Sequence, residues 1–419
     1  MPGSGDAFYC GNCFRDYLYV QALRSGGHEV VVMPLYLPLT DPSFLADTPL
    51  FFPAVSYYVA QKFLKKGILP RFPEKILNTP ALLRFASSFS GTTSAKGMEQ
   101  MTLSMVQGHD IHFAAQIEKI VTCITHHNPD IIHISSSLLI GLTKAIKNRV
   151  ETPIVCSLQD EEIWIDSLER KYAATVWESI RENVKYVDRF ITSSEFYKSI
   201  ALNKIPEFKE INVVYPGVAI EQYATSHYPS DPTIGFFYHM NRQSGLDILS
   251  KAFVLLKKEK RCDNLKLRIG GGFTSADKKF LREVRKILSP FKDDVTWHLH
   301  YKLVNHAQFY AGISIICVPI TFEESAGLYL CEAFASGRPA IEPNTGSFSE
   351  LMQDGGILYH PNRPEALAEA IEKLCTNEHL YKECIKNGDR LAQSRYNYNV
   401  LSTKLQQVYE GLLDAYIVK

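Results

Sequence analysis

Two glutamates eight positions apart are the residues whose type and spacing point most directly to chemistry. They are Glu324 and Glu332, in the segment ESAGLYLCE. A helix here makes a little over two turns between them, so both carboxylates would lie on roughly the same face, with Glu332 one level deeper. Backbone N–H groups at the start of that helix, around Ser325, Ala326 and Gly327, favour an anionic ligand such as a diphosphate. The deeper carboxylate is suited to neutral hydroxyls.

A structural alternative stands beside this prediction, because two glutamates at this spacing are commonly solvated charges on an amphipathic helix. The flanking elements favour a binding site instead. The apolar run ISIICVPI (313–320) predicts a buried parallel strand that leads into a glycine-containing turn, a helix and a further strand, RPAIEP. A strand, a turn and a helix in that order form the phosphate-binding geometry of open α/β sheets.

Strands and helices alternate in both halves of the chain. In the first half we predict helices at 12–25 and 138–148 and strands at 28–34, 130–134, 153–158, 188–192 and 211–215. In the second half we predict strands at 233–239, 265–271 and 295–301 and helices at 245–261 and 305–311. The pattern indicates an α/β fold with two doubly wound parallel-sheet (Rossmann-like) domains facing a cleft.

The predicted domains are residues 1–216 and 217–395, followed by a helix in 396–419 that crosses back to the first domain. Its apolar stripe consists of Leu401, Leu405, Val408, Leu412 and Leu413. A helical insert is predicted at about 42–110. A doubly wound domain begins with a strand, yet only Met1 and Pro2 precede the first glycine-rich turn, so we expect that the sequence starts at an internal methionine.

Several further segments accompany the glutamate pair in a fixed order. They are EAFASGRPAI and GSFSEL after it, and GSGDAFYCGNCFRDYLYVQALRSGGHEVVVMPLYLP, NPDIIHISSSLLIGLTKAI, TPIVCSLQDEE and INVVYPGV before it, with RPEALAEAI near the end. In this order the segments resemble the family 4 glycosyltransferases, which are retaining sugar transferases of the GT-B fold. The form CGNCFRD is similar to one bacterial branch of that family.

The resemblance implies a donor site in the C-terminal half and an acceptor site in the N-terminal half. Glu324 would be the catalytic carboxylate that holds sugar hydroxyls, and Glu332 would bind the ribose. The diphosphate would meet the amides of Ser325, Ala326, Gly327 and Leu328. A UDP- or GDP-sugar is the implied co-substrate, and no metal or other cofactor is expected, because a helix N-terminus and basic side chains can neutralise the leaving diphosphate.

One segment departs from the family pattern. In IGFFYHMNRQSGLD, His239 and Ser244 stand where relatives carry an Arg and a Lys. Losing two cations beside a departing diphosphate should be costly. Arg242 and a protonated His239 are the donor-binding side chains that would compensate in part, and a histidine satisfied by the backbone is the alternative for His239.

Acceptor-side candidates follow the strands of the first half. Gln159, Asp160 and Glu161 come just after a buried strand, where open α/β sheets bind ligands. Gln159 cannot act as a base, so Asp160 or Glu161 is predicted to orient the acceptor hydroxyl, with a helix-capping acidic pair as the alternative. His133 ends the preceding strand, where a role in the cleft competes with core packing. By the resemblance, Gly3, Gly5 and Asp6 also face the cleft.

Composition excludes several classes of partner. The 419 residues carry 45 basic and 45 acidic side chains, so no overall field favours nucleic acid. No apolar stretch approaches the roughly 18 residues of a membrane span, and the N-terminus lacks a signal peptide. We expect a cytoplasmic protein, with peripheral contact to the inner face of the membrane through the insert at 51–85. The basic side chains of the insert could steady an anionic or lipid-linked acceptor, although a solvated helix face is the favoured alternative. They are Lys62, Lys65, Lys66, Arg71 and Arg84.

Cys10 and Cys13 form the one close pair among nine cysteines. A zinc site needs four ligands and no second pair with ligand spacing exists, so structural packing is favoured over metal or redox chemistry.

Two functions remain open for the whole chain. One is a metal-independent retaining transferase that moves a sugar to a carbohydrate or lipid-linked acceptor, and the other is a catalytically weak GT-B protein that binds a nucleotide sugar or glycan.

Overall fold

The computed structural model describes residues 11–35, 98–108, 111–208, 210–223, 229–299 and 306–417. The predictions for Gly3, Gly5, Asp6 and Cys10, and those for the part of the insert at 42–97, lie outside these residues. The chain divides into two compact units. The first contains Asn12–Val214 and the chain from Thr403 onward, and the second contains Tyr215–Ser402.

The first unit contains a four-stranded parallel sheet in the order β1-β2-β3-β4. The strands are β1 (Ile132–Ile134), β2 (Ile154–Leu158), β3 (Arg189–Thr192) and β4 (Ile211–Val213). Every residue of β2 is buried, as expected for an inner strand of a parallel sheet covered on both faces. All carboxyl ends therefore meet at one edge, where the polar residues after the strands are collected.

Helices connect these strands. They are α1 (Gly11–Ser25), α2 (Glu99–Gln107), α3 (Ile111–His127), α4 (Leu142–Lys147), α5 (Glu161–Ile165), α6 (Arg170–Asn183) and α7 (Glu195–Lys204). The predicted helix at 138–148 is divided, because a 3-10 turn at Ser137–Leu139 precedes α4. Ser136 caps this turn by accepting a hydrogen bond from the Leu138 amide.

The prediction of a strand at 28–34 is wrong. Residues 28–35 are described, and no strand is assigned to them. A strand exists only through its ladder, and the ladder among the described residues of this unit runs from β1 to β4 alone. An apolar, β-branched run such as Val30–Val32 shows only that a segment suits a sheet, and it does not supply a neighbour.

The second unit contains a six-stranded parallel sheet in the order β10-β9-β8-β5-β6-β7. The strands are β5 (Thr233–Phe237), β6 (Lys266–Gly270), β7 (Val295–His298), β8 (Ile315–Ile316), β9 (Ala340–Pro343) and β10 (Gly356–Tyr359). The helices are α8 (Ile220–Tyr223), α9 (Leu246–Lys258), α10 (Lys278–Leu288), α11 (His306–Ala311), α12 (Leu328–Ala335), α13 (Phe348–Met352), α14 (Pro364–Thr376) and α15 (Glu378–Ser394).

The strand predicted at 313–320 is shorter than expected and consists only of β8. The chain turns away from the ladder at Val318, whose amide donates to the side chain of Glu342 at 3.1 Å instead of to a strand carbonyl. The apolar residues beyond β8 remain buried. Hydrophobicity therefore located the segment correctly but could not show where its pairing ends.

The last helix, α16 (Tyr398–Ile417), contains residues of both units, since Ser402 belongs to the second and Thr403 to the first. Within the first unit its tyrosines are tied down, because Tyr416 donates to Asp188 Oδ1 at 2.6 Å and Tyr409 lies 2.7 Å from His133 Nδ1. Among the described residues, none of the helices combines the length and apolar character needed to cross a bilayer.

Candidate active site

Glu324 lies in the loop between β8 and α12 and is almost fully buried. Its carbonyl accepts hydrogen bonds from the amide and the hydroxyl of Ser347, at 2.9 and 2.8 Å. Gly346 makes this contact possible. It has a φ of +58°, and a Cβ there would stand 2.7 Å from the nitrogen and oxygen of Glu324. The segment GSFSEL thus clamps the backbone of the first glutamate.

The carboxylate of Glu324 faces the start of α12. Its Oε1 accepts from the amides of Ala326 and Gly327, at 3.2 and 3.1 Å, and its Oε2 accepts from the hydroxyl of Tyr238 at 2.9 Å. The structure therefore brings together the carboxylate and two of the amides that the sequence assigns to a diphosphate, but it joins them to each other. Both amides precede α12, which begins only at Leu328, so the predicted helix does not extend back to Glu324.

Glu332 is fully buried within α12. Three donors surround its carboxylate: the Tyr223 hydroxyl at 2.6 Å and the Tyr310 hydroxyl at 3.0 Å, with His306 Nδ1 at 2.6 Å. Such a set satisfies a buried carboxylate well. A ribose would have to displace or share these partners to reach it.

A third carboxyl group, which the sequence analysis did not single out, lies beneath the Glu324 loop. Glu342 on β9 is fully buried, its Oε1 accepts from the Val318 amide, and the Tyr329 hydroxyl is a further neighbour of its carboxyl group. Burial raises the pKa of Glu342 well above its usual range, and the nearby charge of Glu324 adds to the shift. The sequence signal that could have identified Glu342 is a carboxylate within the otherwise apolar run AIEP.

His239 contacts a carboxylate and is not satisfied by the backbone alone. Its Nε2 lies 3.0 Å from Asp277 Oδ2, which also accepts from the amide and hydroxyl of Thr274 at 2.8 and 2.7 Å. Burial alone would raise the pKa of Asp277, but the hydrogen bonds from His239 and Thr274 outweigh it and the pKa is lowered. Asp277 therefore supplies the negative partner of His239, a place that the sequence analysis assigned to the diphosphate of the donor.

The other two polar residues of this segment are also engaged. Ser244 is fully buried, and its hydroxyl donates to the Asn241 carbonyl at 2.7 Å within the turn before α9. Arg242 is well exposed and pairs with Glu283 on α10, while its guanidinium lies 4.9 Å from the centre of the Phe280 ring. In this structure Arg242 thus belongs to a surface ion pair.

In the first unit, Glu161 binds together the loops that follow β1 and β2. Its Oε1 accepts from the Ser136 hydroxyl and the Ser137 amide, at 3.0 and 3.1 Å. Its Oε2 accepts from the Gln159 amide at 2.7 Å. The Tyr197 hydroxyl, which has one proton to donate, lies 2.9 Å from the same oxygen and 2.5 Å from Glu162 Oε2. Such a set of donors is typical of a structural carboxylate.

Asp160 and Gln159 lie beside it at the carboxyl edge of the sheet. Asp160 has left-handed backbone angles, with φ +57° and ψ +22°, a conformation that aspartate tolerates better than most residues. Gln159 is buried, and its Oε1 accepts from Arg15 Nη1 at 3.1 Å. The sequence therefore located the edge correctly, whereas it missed Arg15, the cation that organises it.

His133 is held between two side chains, with Nδ1 2.7 Å from the Tyr409 hydroxyl and Nε2 2.8 Å from the Ser157 hydroxyl. Burial lowers the pKa of His133 to about 3, and the charge of Arg15 adds to this effect. The imidazole is therefore neutral near pH 7 and carries no positive charge toward a ligand.

Within the described ranges, no cluster of three or more His, Cys, Asp or Glu side chains could hold a metal ion. Cys13 is buried in α1, whereas its predicted neighbour Cys10 lies outside the described residues.

Comparisons with known proteins agree with this architecture. Residues 221–391 match the family described as Glycosyl transferases group 1. The chain is 22% identical over 306 residues to a putative glycosyltransferase of Bacillus subtilis, YtcC, covering 68% of this chain and 73% of that protein. Sucrose-phosphate synthase 4 of Arabidopsis thaliana is 25% identical over 195 residues, which is 44% of this chain but only 19% of the plant protein.

Solved structures show the same fold. A glycosyltransferase from Rickettsia africae superposes with a TM-score of 0.61 at 16% identity, covering 96% of both chains. HepE from Anabaena, in complex with UDP-glucose, superposes with a TM-score of 0.60 at 15% identity, covering 72% of this chain and 83% of that one. The fold is therefore of the GT-B class, and the prediction of two Rossmann-like parallel-sheet domains is confirmed.

Proposed function

We propose that the protein is a retaining glycosyltransferase that moves a sugar from a UDP- or GDP-sugar to a carbohydrate or lipid-linked acceptor without a divalent metal. The match to the group 1 family and a neighbour solved with UDP-glucose support a nucleotide-sugar donor. The resemblance of the Glu-x7-Glu segment to retaining family 4 enzymes supports the stereochemistry. The cytoplasmic side of the membrane is where such donors would be met.

The observation that carries the proposal is the clamped carboxylate of Glu324. Its backbone is fixed by Ser347, and its side chain is aimed by two amides and by Tyr238. A charged acceptor group held in advance costs no reorganisation when a sugar hydroxyl arrives, and positive charge developing at the sugar would be stabilised by it. Burial raises the pKa of Glu342 and so disfavours a negative charge beside the Glu324 loop.

A second candidate function, nucleotide-sugar or glycan binding with slow or absent transfer, is favoured by a different observation. His239 already faces Asp277, Ser244 is used within its turn, and Arg242 pairs with Glu283. None of these three side chains is held as a cation dedicated to a departing diphosphate. The backbone amides at the N-terminus of α12 would then supply most of the stabilisation of the departing diphosphate.

Nucleotide release distinguishes the two functions. The full chain is incubated in EDTA with UDP-glucose, UDP-N-acetylglucosamine and GDP-mannose, and free nucleotide and calorimetric binding are measured. We expect release with one donor, and a fall of roughly 100-fold or more in Glu324→Gln. The exposed neighbour Glu323 offers a matched control, and Glu323→Gln should turn over normally.

Binding without release would support the second function and overturn the first. Unchanged turnover in Glu324→Gln would overturn the role of Glu324, and activity that requires added Mg²⁺ would overturn the metal-independent reaction. The anomeric configuration of the product, observed by NMR, tests retention directly.

A further inference from the structure

Two cysteines of the second unit lie side by side. Cys262 is buried in the turn after α9, and Cys375 is partly buried in the last turn of α14. A hydrogen bond joins the two thiols and is the largest cause of the pKa shift of each, since it lowers the pKa of Cys262 and raises the pKa of Cys375. Cys375 is therefore the donor, and Cys262 is the thiol that ionises more easily.

An ion pair independently holds the same two segments together. Arg261, directly before Cys262, donates from Nε to Glu372 Oε2 at 3.0 Å, and its Nη2 contacts the same oxygen. Glu372 lies three residues before Cys375, on the same side of α14. The helices α9 and α14 also pack against each other. The closeness of the thiols therefore follows from the packing of two helices and from a second contact beside them.

This thiol pair lies away from the candidate active site. The strands of the second sheet are parallel, and α9 leads into the start of β6, so the turn that carries Cys262 lies at the amino edge of the sheet. Glu324 follows β8 and lies beyond the carboxyl edge. A covalent link between the two thiols would therefore hold α9 to α14 without contacting the residues assigned to the donor.

Disulfide formation is the chemistry that two adjacent thiols support. The sulfur atoms of a disulfide are about 2.05 Å apart, so thiols already in contact need only a small rotation of their side chains. One protein thiolate attacks a sulfur of glutathione disulfide and expels a glutathione thiolate, and the second thiolate attacks the resulting mixed disulfide and expels the other. Two protein thiols are oxidised, one glutathione disulfide is reduced, and the two thiol protons pass to the two glutathione thiolates.

We propose that Cys262 and Cys375 form a reversible disulfide that stabilises the second unit when glutathione disulfide accumulates. In a reducing compartment both thiols stay free. The bond would close a loop of roughly 110 residues that contains every strand from β6 to β10, and a cross-link stabilises more when the loop that it closes is longer. This inference does not depend on the proposed transferase function.

The test uses the full chain in glutathione buffers that range from fully reduced to fully oxidised. One portion is treated with N-ethylmaleimide to block free thiols and is digested without reduction, and mass spectrometry identifies the cross-linked peptides. We expect a peptide pair that joins Cys262 to Cys375 and is lost on adding dithiothreitol. In a second portion, freed of glutathione, calorimetry should show that oxidation raises the Tm of the second unit by roughly 5–15 °C.

Serine variants separate the cross-link from other effects of oxidation. Cys262→Ser and Cys375→Ser each leave one thiol of the pair, which can form only a mixed disulfide with glutathione, so neither variant should gain Tm on oxidation. Cys123 on α3 belongs to the first unit and is partly exposed, and Cys123→Ser should gain Tm as the wild type does. Reduced and oxidised samples of the same variant are compared, so a lower starting Tm does not affect the result.

Three outcomes would overturn the proposal. They are the absence of the Cys262–Cys375 peptide pair from the oxidised native chain, its appearance only after unfolding in urea, and an equal rise in Tm in the wild type and in both variants of the pair. Binding and hydrolysis of nucleotide sugars are measured separately, and their failure would bear on the proposed function alone.

Discussion

Replacing Glu342 with glutamine should remove a large part of the pH dependence of stability in the second unit. Glu342 is fully buried on β9, where its Oε1 accepts from the Val318 amide and the Tyr329 hydroxyl is a further neighbour. Burial is the main cause that raises its pKa well above the usual range. The folded chain therefore retains a proton that the unfolded chain releases above about pH 4.3.

The sign of the effect follows from this difference in bound protons. Above about pH 4.3 the unfolded chain releases the proton of this carboxyl group, while the folded chain, in which the pKa is raised, keeps it. The free energy of unfolding therefore falls as the pH rises above about 4.3. The slope for one proton is about 1.4 kcal/mol per pH unit. The wild type should lose stability from this group as the pH rises above about 4.3, until the folded chain releases the proton as well.

Glu342→Gln keeps the size and the neutral polarity of the protonated acid but cannot ionise. The difference in unfolding free energy between variant and wild type should therefore grow as the pH rises above about 4.3, in favour of the variant, with a slope of at most about 1.4 kcal/mol per pH unit. Urea unfolding at a series of pH values measures it. Trp297 is the tryptophan of the second unit, so a background of Trp164→Phe and Trp177→Phe makes fluorescence report on this unit.

The exposed Glu369 on α14 supplies the control, because Glu369→Gln should leave the slope unchanged. Parallel stability curves for Glu342→Gln and the wild type would refute the reasoning, since they would mean that Glu342 is ionised in the folded protein. A variant that is less stable by a constant amount at every pH would refute it equally.

Three further outcomes are expected. Gly346→Ala forces a side chain into a left-handed backbone position against Glu324, so it should cost about 1–3 kcal/mol of stability and weaken donor binding. Gly411→Ala in α16, where nothing lies within 4 Å of the added Cβ, should instead gain up to about 1 kcal/mol. Equal Tm values for the two variants would contradict the clamp. Because burial, and then the charge of Arg15, lowers the pKa of His133 to about 3, only the unfolded chain gains this proton as pH falls below about 6.5. Urea unfolding followed through Trp164 and Trp177 should then show acid destabilisation that His133→Gln lacks, and an unchanged slope would contradict it. Glu161→Gln should lower the Tm of the first unit by breaking part of the set of hydrogen bonds that Glu161 accepts, at a cost of about 2 kcal/mol, while no change in Tm would argue against its structural role.

The sequence predicted the layered α/β fold well because its strands are inner strands of parallel sheets. Such strands are apolar on both faces, as in β2 and β5, and their flanking turns are rich in glycine and polar residues. The hydrophobic pattern did not predict strands correctly where their existence or length depends on pairing with a neighbouring strand. The run at 28–34 has strand composition but no assigned strand, and β8 ends early because a side chain takes over the Val318 amide.

The candidate site was only partly predictable for a similar reason. The spacing of Glu324 and Glu332 predicted one helix through both, which is correct for Glu332 but wrong for Glu324, because the helix begins only at Leu328. Their hydrogen-bond partners come from positions as distant in sequence as Tyr223, Tyr238 and Ser347, which no local pattern links to them. Arg15 was visible in CGNCFRD, but its partners Ser135 and Gln159 lie 120 and 144 positions away.

The clamp on Glu324 has a consequence for the thermodynamics of ligand binding. Ordering a flexible side chain on association costs about 0.5–1.5 kcal/mol, and loops at binding sites commonly add such costs. Here the loop before α12 is already held by Ser347 and by its own amides. A nucleotide sugar that binds there would lose its own freedom while the loop loses little, so the binding entropy should reflect the ligand and its released water more than the protein.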